Sequence, residues 1–536
     1  MHSRTFARRA FSAVAMVSAA AVALTGCVFV PALLNPPTGP VDPTDPTSTE
    51  GFDPTQGVDE ALVPFYEQEV EWSSCEGGTQ CAVIEAPMDW FNPDPDKTVE
   101  VHFNVQEATG EAQGHLLYNP GGPGASGFDY VAQFADYLVP PEIRESYNLV
   151  GFDPRGVARS TPITCYDDPE TLYNWMFSTH DGDEAPKYDD TDWLSDEALD
   201  QSREGAKEFA EACEEHTGEA IGYFGTEQAA SDMDLIRALL GEEQLDYYGV
   251  SYGTLLGATY AGLFPENVGR FVLDAAVSPE STDADGTLFQ AKGFELALGN
   301  FLEDCIAGSD CPIDASSRQG ALDEMTELFD ELDKKPLKGS NDRLLGGSNF
   351  FTSIAANLYA EFQWPVLREI IGDVMDGDAT SAFTAVDEYY GVNPDGTFVD
   401  NSFEALVGIN CLDYAPESDY DVIRDNAEIV QEEAPTVGRY FSGLSSCLDW
   451  PNAGSRDQSK IEAPGANPII VIGGINDPAT PYEQSVSLAD QLESGVLITV
   501  SAEGHGQYGQ GNACVDGPVS NYLLTGDAPT ADIDNC

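Results

Sequence analysis

The sequence predicts an α/β protein: a mostly parallel sheet with helices on both faces, and a large, mainly helical cap inserted after the sixth strand. Three observations predict it. Short apolar runs alternate with helix-length amphipathic segments from about residue 81 to residue 274. That alternation gives way after Ala276 to helix- and loop-like sequence, and resumes at Asn467. Within the first half lies Leu245–Phe264 (LDYYGVSYGTLLGATYAGLF), which reads as a strand, a turn with Ser251 at its tip, and a helix starting near Thr254.

The first 26 residues form a leader. Arg4, Arg8 and Arg9 precede the apolar run Ala10–Leu24, which has the length of a signal-peptide core and is short for a membrane span. The run ends in Leu24-Thr25-Gly26-Cys27, which resembles a bacterial lipobox; the resemblance implies cleavage before Cys27 and lipidation of its thiol. Arg8-Arg9-Ala10-Phe11 bears a looser similarity to a twin-arginine export signal, so the export route stays open. Residues 27–62, rich in Pro, Thr, Asp and Gly, lack the apolar content for a core and read as a disordered tether.

The remaining chain divides into a first core part at 63–277, the cap at 278–460 and a second core part at 461–536. Cys81–Met88, Thr98–Val105, His115–Tyr118 and Tyr147–Phe152 are the first four strands. Residues from Cys165 to Tyr223 form an acidic, helical excursion, and Thr226–Leu240 is a helix with Thr226 as a possible N-cap. Leu245–Val250 and Val268–Leu273 are strands five and six. In the cap, Ser316–Leu332 and Ser353–Met375 have helical patterning. A strand at Asn467–Gly474, a helix at Tyr482–Leu492 and a strand at Gly495–Val500 complete the core.

Gly249-Val250-Ser251-Tyr252-Gly253 is a G-x-S-x-G turn between an apolar strand and a small-residue helix, the setting in which a serine is held exposed on a strained bend. A serine nucleophile needs a base and a group to orient it. Of the six histidines only His505 follows Ser251, in a glycine-flanked loop just past the last strand. Asp477 is the only carboxylate in the loop 474–481 after the preceding strand; a helix cap is its alternative role, and Asp413 is a distant second candidate for the acid. Two backbone N–H groups should face the developing oxyanion: that of Tyr252, and one from the glycine loop Asn119-Pro120-Gly121-Gly122-Pro123-Gly124, for which Gly122 is chosen. Arg155, in Asp153-Pro154-Arg155-Gly156, is read as a brace between loops.

Composition narrows the partners. The chain carries 93 Asp and Glu against 23 Lys and Arg, a net charge of −70. That rules against nucleic acid and disfavours electrostatic docking on anionic lipid. It suits a salt-tolerant, self-repelling surface, or reflects lineage composition. Apart from Cys27 there are ten cysteines, and their spacing suggests neighbour pairing: Cys75–Cys81, Cys165–Cys213, Cys305–Cys311, Cys411–Cys447 and Cys514–Cys536, although spacing alone leaves connectivity open. There is no C-x-x-C pair, so no zinc or other metal site is expected, and no cofactor.

Together NPGGPG, DPRG, GVSYG, the NDPATP and GHG loops, Gly408-Ile409-Asn410-Cys411 with Asp413, and Cys447 with Trp450-Pro451 resemble the secreted bacterial α/β-hydrolases of the tripeptidyl aminopeptidase and proline iminopeptidase group. The tail, with Cys514, Tyr522-Leu523 and Cys536, is similar to a TAP-like C-terminal region. The resemblance spans about residues 65–536. It implies the α/β-hydrolase fold, a Ser251–Asp477–His505 triad, Gly122 and Tyr252 as oxyanion donors, and no cofactor. It also implies that cap carboxylates hold a free substrate ammonium; Glu361 is the candidate, with Asp413 a further one. The expected activity is removal of short peptides from free N-termini by a monomeric, exported, lipid-anchored enzyme. A carboxylesterase or endopeptidase with the same machinery, or a non-enzymatic surface-binding lipoprotein, are the alternatives. One departure stands out: Asp274-Ala275-Ala276, where the resemblance leads one to expect Asp-Gly.

Overall fold

The computed structural model describes residues 52–177, 193–340 and 343–536. The leader, the lipobox with Cys27, and most of the expected tether lie outside them. The end of that tether is ordered: Val58 and Leu62 are partly buried against the main core, because apolar side chains there have a surface to cover.

Among the described residues, nine strands form one sheet: β1 (Ser73–Ser74), β2 (Gln80–Pro87), β3 (Thr98–Gln106), β4 (His115–Asn119), β5 (Asn148–Phe152), β6 (Leu245–Val250), β7 (Val268–Asp274), and then β10 (Ile469–Asn476) and β11 (Gly495–Glu503). Two short strands, β8 (Leu337–Lys338) and β9 (Leu344–Leu345), pair with each other in the inserted region. The order across the sheet is β1-β2-β3-β5-β4-β6-β7-β10-β11. The β1–β2, β2–β3 and β3–β5 pairs are antiparallel, and every pair from β5 to β11 is parallel. The strand expected as the sixth is thus the seventh, since the two-residue β1 carries too little pattern to read.

Alternate residues of the central strands enter opposite cores, as a period of two requires. Leu117, Tyr247, Phe271 and Val471 belong to one cluster, with the helices 226–239, 252–263 and 482–491. Tyr118, Tyr248, Val272 and Ile472 belong to the other, with the helices 127–138 and 513–525. This is an α/β-hydrolase sheet, with helices on both faces.

The inserted sequence divides between two cores. Helices 283–307, 318–334, 347–358, 364–375 and 380–389 build a cluster of their own, joined by Val430 and Val437. Helix 402–413 instead packs Ala405, Ile409 and Leu412 into the sheet's cluster, with Trp450. The stretch 353–375, read from sequence as one helical pattern, breaks at Tyr359–Gln363. Ala360 is extended (φ −151°, ψ 133°), and Pro365 begins the next helix in its first turn.

All five neighbouring cysteine pairs are joined: Cys75–Cys81, Cys165–Cys213, Cys305–Cys311, Cys411–Cys447 and Cys514–Cys536. Such a set belongs to an oxidising, extracytoplasmic environment. No helix among the described residues is long and apolar enough to cross a membrane.

Candidate active site

The site is assembled at the C-terminal ends of the parallel strands, where their loops converge. Strand β6 stops at Val250, and Ser251 takes φ 59°, ψ −126°, a conformation costly for any residue but glycine. The helix 252–263 follows at once, two residues earlier than expected. Both flanking glycines are needed for contact rather than for flexibility. A Cβ on Gly249 would lie 2.5 Å from the Gly253 carbonyl oxygen, and one on Gly253 would lie 2.7 Å from that of Asn119.

The loop after β4 presses on this turn. A Cβ on Gly121 would fall 2.5 Å from the Val250 carbonyl oxygen and 2.9 Å from the Ser251 Cβ, and Gly121 itself has φ 97°. The next residue, Gly122, has φ 110°. Among the described residues, neither the Gly122 nor the Tyr252 N–H is donated to a protein acceptor. Tyr252 is the first residue of its helix, so its N–H is one of the free donors at the positive end of the dipole.

His505 and Asp477 come together as the order of residues predicts. The His505 Nδ1 lies 2.9 and 3.0 Å from the two Asp477 carboxylate oxygens. Asp477 is buried, and its Oδ1 also accepts the N–H groups of Ala479 and Thr480 at 2.9 Å each. The carboxylate's cap-like bonds and its contact with histidine therefore coexist. Thr480 Oγ1 stands 3.4 Å from the same Nδ1. With Nδ1 committed, Nε2 is the nitrogen left for chemistry. The His505 loop crosses the elbow: a Cβ on Gly506 would touch Val250 Cγ1 at 3.5 Å. Burial opposes the charged imidazolium, but the Asp477 carboxylate outweighs it, with Asp274 adding to the effect. The imidazole therefore titrates above its ordinary value.

Three supports were not legible in the sequence. Tyr359, at the helix break, accepts the His505 N–H through its carbonyl at 2.8 Å and sets its ring edge-on to the imidazole at 5.2 Å. Thr480 was only part of a loop. Asp274 stands in the sequence only as part of a motif departure, and its neighbour Ala275 has φ 60°, the left-handed region in which the expected glycine would be at ease. The Ala275 N–H is donated to the Ile472 carbonyl at 3.0 Å, which holds that conformation.

Other candidates are placed as follows. Asp413 is fully buried, with Oδ1 accepting the Thr226 N–H at 2.9 Å and Oδ2 the Thr226 hydroxyl at 2.5 Å. Its oxygens thus serve the start of the helix 226–239. Thr226 is the first residue of that helix rather than its N-cap, which is Gly225, because its hydroxyl is drawn to Asp413 and the Tyr252 hydroxyl (2.6 Å). Arg155 is buried and bound through two nitrogens to Asp232 at 2.6 and 2.7 Å, a brace as expected. Glu361 is exposed on the cap, two residues past Tyr359, and its charge reaches Glu503. Glu503 accepts from Asn476 at 2.8 Å and from Asn300 of the helix 283–307 at 3.0 Å. Burial raises the Glu503 carboxyl above its ordinary range; the Asn300 bond opposes this and the Glu361 charge adds to it.

Similarity to known proteins fits this geometry. Over 493 residues the chain is 32% identical to the serine protease Hip1 of Mycobacterium tuberculosis, covering 87% of this chain and 91% of that protein. It belongs to the TAP-like family of α/β-hydrolases. The TAP-like protein family profile matches residues 434–535, which carry Asp477 and His505. Within the family, the chain is also 30% identical over 480 residues to the tripeptidyl aminopeptidase of Streptomyces lividans, covering 87% of this chain and 86% of the relative. It is 31% identical over 482 residues to a carboxylesterase B of M. tuberculosis, covering 87% and 90%. As a TAP-like α/β-hydrolase, the chain is an enzyme, a serine hydrolase.

Proposed function

We propose that the protein is an exported aminopeptidase that releases short peptides from free N-termini through an acyl-enzyme. Ser251 Oγ attacks the amide carbonyl carbon while His505 Nε2 takes its proton. Asp477 keeps Nδ1 protonated and offsets the imidazolium charge. The Gly122 and Tyr252 N–H groups receive the oxyanion, and His505 returns the proton to the departing amine. Water then attacks the acyl-enzyme with His505 again as base. The observation that carries this reading is the pairing of His505 with the buried Asp477 beside a strained serine turn with two undonated amides.

Specificity for free N-termini is assigned to the cap, residues 278–460. There Glu361, with Glu503 beside it, is the pair for the ammonium. Asp413 is assigned a positioning role through Thr226 instead. Residues 1–26 are assigned as a cleaved leader, with Cys27 the lipidated anchor at the outer face of the cell membrane and the following residues a tether; the enzyme acts as a monomer.

A fluorophosphonate probe should label the native protein. Ser251→Ala should abolish labelling and lower turnover by up to about 10⁶-fold. Unlabelled native protein would sink the mechanism, and with it leave a binding lipoprotein. Acetylating the amine of a tripeptide p-nitroanilide should cut kcat/KM by about 10- to 100-fold, the loss expected for a charged hydrogen bond. Equal rates, with faster turnover of p-nitrophenyl esters, would favour the carboxylesterase reading, which the similarity to carboxylesterase B supports.

A further inference from the structure

Asp274 ends β7, the strand beside the elbow strand β6. It touches both halves of the site. Its carbonyl accepts the Ser251 N–H at 3.0 Å. Its carboxylate, with no exposure, accepts the N–H groups of Gln507 and Tyr508 through Oδ2 at 2.8 Å each. Those two amides follow His505 by two and three residues, across Gly506, whose φ of 78° turns the loop. A Cβ on Gly506 would stand 3.9 Å from the same oxygen. One residue thus fastens the nucleophile's turn and the base's loop together.

A neutral acceptor could satisfy two amides, yet the position holds a carboxylate. Burying a charge is expensive without a partner: no lysine or arginine among the described residues pairs with it, and burial, opposed by the Tyr508 and Gln507 amides, pushes its carboxyl up to about 6, so that it is ionised at neutral pH and above. The groups that face it are the phenols of Tyr248 and Tyr118, the imidazole of His505 and the Asp477 carboxylate. Of these only His505 becomes positive, and it does so when it takes the serine's proton.

We propose that Asp274 is a positioning residue for the reaction: it locks the His505 loop onto the Ser251 turn and supplies a second negative charge, behind Asp477, for the imidazolium formed in the transition state. The inference rests on the assignment of Ser251 and His505 above. Asp477 orients the ring and carries the nearer charge, while Asp274 adds to the field and fastens the His505 loop to the Ser251 turn.

The test is the pH dependence of the rate of fluorophosphonate labelling, which needs no particular peptide. Asp274→Asn keeps an oxygen for the two amides and removes the charge. Its midpoint for the acid limb should fall by about 0.5 pH unit or more relative to native protein, since a neighbouring negative charge favours the imidazolium. Asp274→Ser, smaller and also an acceptor, should shift it in the same direction and serves if the amide variant does not fold. An unchanged midpoint in a folded variant, with only a lowered melting temperature, would mark a purely structural residue and overturn the proposal. Native protein that is not labelled, or Ser251→Ala protein that is, would overturn the active-site assignment and this inference together. Labelling at Ser251 with an unshifted midpoint would overturn this inference alone.

Discussion

The two sides of the candidate site, that of the proposed nucleophile Ser251 and that of the proposed base His505, are built on different principles. The nucleophile side is made of backbone close to itself in sequence: Gly249, Gly253 and the strained Ser251 lie within five residues, with Gly121 pressed against them from the adjacent strand's loop. The base side is made of side chains brought from far apart. His505 is held by Asp477 from the β10 loop, by Tyr359 from the cap and, through its loop, by Asp274 from β7. A turn whose shape is dictated by steric exclusion leaves a short, recognisable pattern. A histidine whose orientation depends on hydrogen bonds from three elements leaves almost none, because each partner is an ordinary residue in its own neighbourhood.

The contrast can be broken at either side. Short of removing Ser251 itself, the largest effect is expected at the base: Asp477→Asn should lower kcat by about 10⁴-fold with little change in folding, because an amide donor at this place favours the wrong imidazole tautomer. Steady-state kinetics and a melting curve on the same preparation would show it; a loss under tenfold would mean that another group orients the ring. Next, Gly121→Ala should cost about 100-fold in kcat/KM, since its Cβ would meet main-chain and Ser251 atoms at 2.5–2.9 Å and displace the turn. If the variant matches the native rate, the two loops are not as tightly coupled as their contact implies.

The smallest effect sharpens the join between the sides. Ala275 has φ 60°, a conformation that costs a side chain about 1–2 kcal/mol. Ala275→Gly would relieve that and forfeit about 0.8 kcal/mol of buried methyl and about 0.4–1 kcal/mol through the freer unfolded chain. The melting temperature should therefore stay close to the native value. Ala276→Gly, equally buried and outside the left-handed region, should lower it. Equal losses in the two variants would contradict the strain at Ala275.

The helix break at Tyr359 shows why part of the site was illegible. The pattern across 353–375 is helical on both sides, and Pro365 is compatible with a helix start, so nothing local demands an extended Ala360. Its use is visible only in the tertiary structure: Gly504 packs where a Cβ would stand 2.7 Å from the Tyr359 carbonyl oxygen, and the adjacent His505 N–H takes that carbonyl. Asp413 fails as a sequence signal for the opposite reason. An acid near the end of a cap helix reads equally as a substrate ligand or as a partner for another helix's first turn, and only its two bonds to Thr226 distinguish them.

By itself the sequence determined what local sterics and order along the chain can determine. These are the alternating strands and helices, the elbow with its obligatory glycines, and the one histidine after Ser251. The tertiary structure decided what depends on distance in space. It divided the inserted helices between two cores, turned Asp413 inward, and set Tyr359 and Asp274 around His505. Backbone exclusion acts over a few residues and is written in them; hydrogen bonds and buried charge act across elements hundreds of residues apart, and exist only once the chain has packed.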